Sequence, residues 1–258
     1  MDDLKGQFAL DQYIMNHVQN AQQWHLPFLP PIHLPGFLTL HGLMLLIATG
    51  LLLILLLRPR HAESRIPSKW GNALEMLVLF IRDEVAVPCL GPEDGRKLTP
   101  LFCTFFVFIL FLNLMGMIPF FSTATANFNV TGALALITLC FMVFGAMYKN
   151  GIKGFSHALI PSGVPVPLLF FLVPIEFVGL FIKAFALMVR LFANMLAGHI
   201  VILALLGLVI ILGYFTLPFM FVMALAIYLL EVFVAFLQAY IFTLLSAMFI
   251  GLMYHPAH

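Results

Sequence analysis

The chain has 258 residues, 63% of them hydrophobic and only 9% charged, and its net charge is +1. Soluble domains carry about 25% charged side chains, so a water-soluble enzyme, a disordered chain and a secreted disulfide scaffold are all excluded. What remains is an integral membrane protein with no nucleic-acid signal.

Residues 1–35 read as an interfacial segment. Leu10, Ile14 and Val18 recur at helical spacing before Pro27, Pro30, Pro31 and Pro35 forbid continuation. The acidic start, Met1-Asp2-Asp3-Leu4, does not read as a signal peptide. From 36 to 258 the chain reads as a single membrane domain. Its first span is expected over 36–57, long enough to cross about 30 Å of hydrocarbon. Arg58, Arg60, Arg65, Lys69, Arg82, Arg96 and Lys97 follow, which places this side in the cytoplasm and the N-terminus outside. Over 70–87 apolar and charged groups alternate, with Trp70, Leu74, Leu77, Ile81 and Val85 against Glu75, Arg82, Asp83 and Glu84. That pattern predicts an amphipathic helix lying on the membrane surface.

The second span, 98–118, stops at Pro119, and the third, 130–148, returns the chain to Lys149 and Lys153 on the positive side. Two apolar stretches, about 165–212 and 217–253, complete the chain. Each would be about 55–70 Å long as a helix, too long for one upright crossing. They either break into further spans or lie as two steeply tilted helices, joined by the short Gly213–Pro218 connection. The expected fold is an all-α membrane protein with about five membrane-embedded helices plus a surface amphipathic helix, ending in a long tilted antiparallel helical hairpin.

Of the 23 charged residues only six lie beyond residue 97: Lys149, Lys153, Glu176, Lys183, Arg190 and Glu231. An ionisable group at membrane depth costs roughly 2.5 kcal/mol or more, which makes the last four functional candidates. Glu176, Lys183 and Arg190 are seven residues apart and share one helical face, which Asn194 joins one turn further on. Glu231 and Gln238 share a face of the following helix. Folding the hairpin antiparallel levels Arg190 with Gln238 and His199 with Glu231, because both pairs centre on residues 214–215, inside the connection. A straight helix cannot aim Arg190 and His199 the same way, so Arg190 points to a third element while His199 and Glu231 face a wet pocket. Histidine and carboxylate supply a titrating relay. Arginine supplies a fixed charge that cannot release its proton, and its counter-charge is expected from another subunit.

The run Arg190-Leu191-Phe192-Ala193-Asn194-Met195-Leu196-Ala197-Gly198-His199 resembles the signature of subunit a of rotary F-type ATP synthases. Leu237-Gln238-Ala239-Tyr240-Ile241-Phe242, Asn113-Leu114-Met115-Gly116-Met117-Ile118-Pro119, Pro174-Ile175-Glu176 and Lys183 extend the likeness over about 36–253. The resemblance implies a stator subunit packed on a rotating c-ring, joined to peripheral-stalk b subunits and the remainder of the synthase. Two offset half-channels would carry H⁺ to and from the ring carboxylates. Arg190 would meet each carboxylate with Gln238 beside it. Asn194, His199 and Glu231 would line the outer half-channel, and Glu176 the inner one. Many bacterial relatives carry the acid and the histidine exchanged between positions 199 and 231, which keeps the pair.

The resemblance further implies a subunit that is no enzyme on its own, with no cofactor and no nucleotide site. The expected location is a bacterial inner membrane rather than an organelle, with the C-terminus cytoplasmic. Plainer roles exist for each residue. Lys183 reads equally as a structural charge, the His199–Glu231 pair as an interhelical clasp, and Asn194 and Gln238 as packing hydrogen bonds. Cys89, Cys103 and Cys140 read as small hydrophobes, and His17, His25, His33, His41, His61 and His157 as surface or loop residues. His255 and His258 read as a polar tail. A self-sufficient transporter would carry an internal repeat, and a cation channel a selectivity motif or a ring of charges; neither is found.

Overall fold

The computed structural model describes residues 23–24, 32–33, 39–57, 69–118, 124–160, 166–212 and 216–255. Nearly all of them are helical. The exception is a pair of two-residue strands, β1 (Gln23–Trp24) and β2 (Ile32–His33), paired antiparallel with Gln23 opposite His33. Sequence spacing had suggested a helix upstream, over Leu10, Ile14 and Val18, but that segment lies outside the described residues, as does the basic stretch 58–68.

Helix α1 (Leu40–Leu57) starts where the Thr39 hydroxyl accepts a hydrogen bond from the Gly42 amide, an N-cap for a helix that is apolar apart from His41 and Thr49. Helix α2 (Lys69–Phe80) does not end where the surface helix was expected to end. It continues through a π turn, Ile81–Ala86, into α3 (Val87–Gly116), and the break comes at Gly91, with φ 79° and ψ 172°. A positive φ at that point suits only glycine, and Pro92 then starts the second leg, because proline has no amide hydrogen to lose in a first helical turn. The amphipathic leg therefore runs to Leu90, and the second span is the leg after the break.

Helix α4 (Phe128–Cys140) is capped by Asn127, whose side-chain oxygen accepts from the Asn129 amide. A second π turn, Phe141–Gly145, leads into α5 (Ala146–Ala158), which bends at Gly151 with φ 73°. Helices α6 (Val166–Leu212) and α7 (Leu217–Tyr254) are 47 and 38 residues long. Both remain single helices, about 70 and 57 Å at 1.5 Å per residue, so the tilted-hairpin alternative holds over further breakage. Among the described residues, four segments are long and apolar enough to cross a membrane, 71–116, 128–152, 167–202 and 217–254, with a shorter one at 40–54. Large side chains such as Phe170, Phe171, Ile175, Phe219 and Phe221 stand exposed on α6 and α7, as a lipid-facing surface requires.

The chain divides into two compact units. The first comprises the described residues of Met1–Leu56, Phe108–Val130 and Leu191–Gln238. Its apolar core joins Met44 and Ala48 of α1 to Leu112 and Met115 of α3 and to Ala124. His41, read from sequence as a surface or loop residue, is buried in α1, because the first turn of that helix is packed rather than solvated.

The second unit comprises Leu57–Val107, Thr131–Arg190 and Ala239–His258. Here Phe105 stands edge-on to Phe242 with centroids 5.7 Å apart, and the buried hydroxyls of Thr138 and Ser246 meet at 3.1 Å. One end of this unit is closed by a polar clasp. Lys149 and Asp94 form an ion pair, and His255 Nε2 lies 3.1 Å from both Lys149 Nζ and Asp94 Oδ2 and 2.9 Å from the Leu90 carbonyl. Asn150 donates to the carbonyls of Met253 and Tyr254, which α7 leaves without helical partners. His255, read from sequence as part of a polar tail, is thus a structural residue. The clasp gathers the start of the second span, the end of the third and the end of α7, three points expected on one side of the membrane.

Replacing Asp94 with asparagine, or Lys149 with methionine, is expected to lower stability by about 1 kcal/mol, the scale of a partly exposed ion pair with charge-assisted hydrogen bonds. Thermal melting of the purified protein in detergent measures it. The double variant should lose little more than either single one, since both remove the same contact; simple additivity would contradict the clasp.

Candidate functional site

The candidate residues fall in both units. In the second unit α6 carries Glu176, Lys183 and Arg190 at seven-residue intervals. Lys183 Nζ donates to Glu176 Oε1 at 3.2 Å, so the two charges that sequence left unassigned to each other form an ion pair along one helix. Arg190 is exposed and makes no ion pair among the described residues. With Lys183 already occupying Glu176, this acid is not the counter-charge of Arg190.

In the first unit α6 and α7 run antiparallel, and two contacts define their register. Asn194 Nδ2 donates to Gln238 Oε1 at 3.4 Å. One turn further along α6, Gly198 lies directly against Glu231: a Cβ at residue 198 would stand 2.5 Å from Glu231 Oε1. The two pairs centre on residues 216 and 214.5, so Glu231 keeps nearly the expected level while Gln238 meets Asn194, one helical turn beyond the Arg190 with which the sequence levels it. His199 follows Gly198 in the same helix, and its side chain lies outside the described residues.

Glu231 is 7% exposed and Gln238 4%, and each keeps one polar atom without a hydrogen-bond partner among the described residues, Oε2 and Nε2 respectively. Buried polar atoms are almost always satisfied, so these two on one helical stripe are hydrogen-bonding groups open to water or another polar partner. Asn113 joins them. It is fully buried in α3, its Nδ2 lies 3.5 Å from the carbonyl of Ala235, midway between Glu231 and Gln238 on α7, and its Oδ1 is also orphaned. Sequence reading quoted Asn113 only as part of a motif. The available signal was a lone amide in an otherwise apolar stretch of a span, the kind of residue that membrane burial makes costly.

The sequence profile of the ATP synthase A chain family matches residues 42–251, a stretch that holds every candidate residue. The chain belongs to the ATP synthase A chain family. Its relatives include the ATP synthase subunit a of Anaeromyxobacter dehalogenans strain 2CP-C, 51% identical over 217 residues, which cover 83% of this chain and 57% of that protein. The subunit a of Chloroherpeton thalassium is 43% identical over 254 residues, covering 95% of this chain and 75% of its own length. That of Myxococcus xanthus is 42% identical over 268 residues, covering 94% and 87%. The chain spans about half the length of the Anaeromyxobacter relatives. Family membership and the long apolar helices together make it a multi-pass membrane protein.

Proposed function

We propose that the chain is the stator ion-path subunit of a rotary ATP synthase, carrying protons to and from the carboxylates of a rotating c-ring and so coupling proton flow to ATP synthesis. The observation that carries this reading is Arg190, a guanidinium on a membrane-embedded helix with no anionic partner among the described residues. An uncompensated charge in a membrane requires a partner from elsewhere. A passing ring carboxylate would supply it and would be held ionised while it faces Arg190.

Asn194, Gln238, Glu231 and His199 line the outer half-channel in this reading, and Asn113 joins them. Their orphaned polar atoms are the hydrogen-bonding groups a file of water would use. Glu176 lines the inner half-channel. The stator packs on the c-ring, is held by peripheral-stalk b subunits and lies in a bacterial inner membrane, with its N-terminus outside and its C-terminus in the cytoplasm. In this reading residues 1–35, most of them outside the described residues, are an interfacial segment that precedes a single membrane domain over 36–258. The chain is not an enzyme alone and uses no cofactor; H⁺ is its cargo.

Purification through an affinity tag on this chain in mild detergent is expected to recover a ring of small hairpin subunits, a peripheral stalk and an ATPase. Recovery of the chain alone, with proton or solute transport after reconstitution, would replace this reading with that of a self-sufficient transporter.

A further inference from the structure

The Lys183–Glu176 pair is not the one helical geometry favours. Side chains on a helix slant toward its N-terminus, so a lysine four residues after a glutamate meets it with least effort. Here the partners are seven residues apart, about 10.5 Å along the axis, and neither side chain covers that distance alone. Lys183 reaches back along its natural slant, and the 3.2 Å contact keeps the Glu176 carboxylate slightly on the Arg190 side of its own Cα instead of slanting away from it. Left to itself, the Glu176 carboxylate would fall toward the N-terminal end of α6 and away from Arg190.

The surroundings give no other reason for that posture. No other ion pair involves either residue among the described residues, and the side chains are 40% and 29% exposed, so the carboxylate is accessible rather than locked in a core. Glu176 sits on the face that Arg190 shares, two levels down the same helix.

We propose that Lys183 is a positioning residue for Glu176, turning its carboxylate along α6 toward Arg190 so that it receives protons arriving from that level. This rests on the reading of the chain as an ion-path subunit. In the step itself, an O–H bond of a hydronium that carries the ring carboxyl's proton breaks as an O–H bond forms on Glu176, leaving neutral water, while the ring carboxylate stays behind beside Arg190. The pair then passes from neutral to a single positive charge, and release of the proton to water on the inner side restores it. Lysine neither gives nor takes a proton. It aims the acceptor and compensates its charge between transfers.

The test uses the assembled complex in inverted membrane vesicles, with ATP-driven pumping and, after the ATPase sector is stripped, passive proton flux, both expressed per assembled complex. Lys183→Met is expected to cut passive flux at least about threefold, while Lys183→Arg, which keeps charge and reach, retains most of it. Because Lys183 acts through Glu176, the double variant E176Q/K183M should match E176Q alone. Wild-type flux in K183M, or an equal further loss when K183M is added to E176Q, would overturn the proposal. If K183M alone fails to assemble, the arginine variant and the comparison within the E176Q background still decide it. Arg190→Ala in the same vesicles separates the two levels. Normal pumping by that variant removes the stator reading itself, whereas its failure beside a fully active K183M removes only the role of Lys183.

Discussion

Arg190→Ala is expected to abolish ATP-driven proton pumping while the complex still assembles. The side chain is exposed and holds no ion pair among the described residues, so its removal opens no cavity and leaves no buried partner orphaned. Its loss should therefore be almost purely electrostatic. Removing a fixed charge that faces a charge-changing step reduces rates by roughly two to three orders of magnitude. Fluorescence quenching of a pH dye in inverted vesicles reads the pumping, and the content of ring and stalk subunits in the purified complex reads assembly. An assembled Arg190→Ala complex that pumps normally would mean that another group separates the two half-channels. Arg190→Lys is a useful companion, since it keeps the charge but not the planar fork of donors that grips a carboxylate on two sides.

The second large effect is expected at Gly198. A methyl group there would come within 2.5 Å of Glu231 Oε1 and 3.0 Å of its Cδ, so any side chain must displace the carboxylate or spread the helices. Glu231 is nearly buried and cannot swing freely into solvent. A displacement near 1 Å at a reacting group can cost about a hundredfold in rate, so Gly198→Val should reduce pumping at least tenfold and Gly198→Ala less. The diagnostic variant is Gly198→Ala combined with Glu231→Asp, which withdraws the carboxylate by one methylene as the new methyl arrives. Partial recovery relative to Gly198→Ala would tie the defect to the position of the carboxylate. No recovery, together with a fall in assembled complex, would tie it to helix packing instead.

Both predictions concern groups whose chemistry was legible in the sequence to different degrees. Arg190 announces itself, because a permanent charge inside a long apolar run has few explanations. Glu231 and Gln238 announce themselves similarly, and their spacing of seven puts them on one face without any knowledge of the fold. Gly198 carries no such signal. A glycine in a membrane helix is common, and only the approach of α7 makes this one a contact surface for Glu231. Asn113 lies between these cases, visible as a polar residue in a span yet assigned to the site only through the Ala235 carbonyl.

The clasp formed by Asp94, Lys149 and His255 belongs to the same lesson. Lys149 served in sequence as a marker of membrane sidedness, and His255 as part of a tail. The ion pair across 55 residues of chain, with the histidine joining from just past the last helix, was not readable from either position. The break at Gly91 was equally hidden, because helix continues after the π turn through Val87–Leu90, past residue 87 where the amphipathic periodicity lapses.

The linear chain by itself determined the membrane class, the two long final helices and, to within about one helical turn, the level at which they meet. These follow from hydrophobic length, from a 1.5 Å rise per residue and from the cost of placing charge in hydrocarbon, all of which act along one helix at a time. The tertiary structure alone decided which partner each polar group takes. It set Lys183 on Glu176, Asn194 on Gln238 and Glu231 against Gly198. Periodicity specifies the level and face of a residue on its own helix, but the rotation of one helix against another is set by side-chain packing, and that rotation is what brings a carboxylate to a glycine or an amide to an amide.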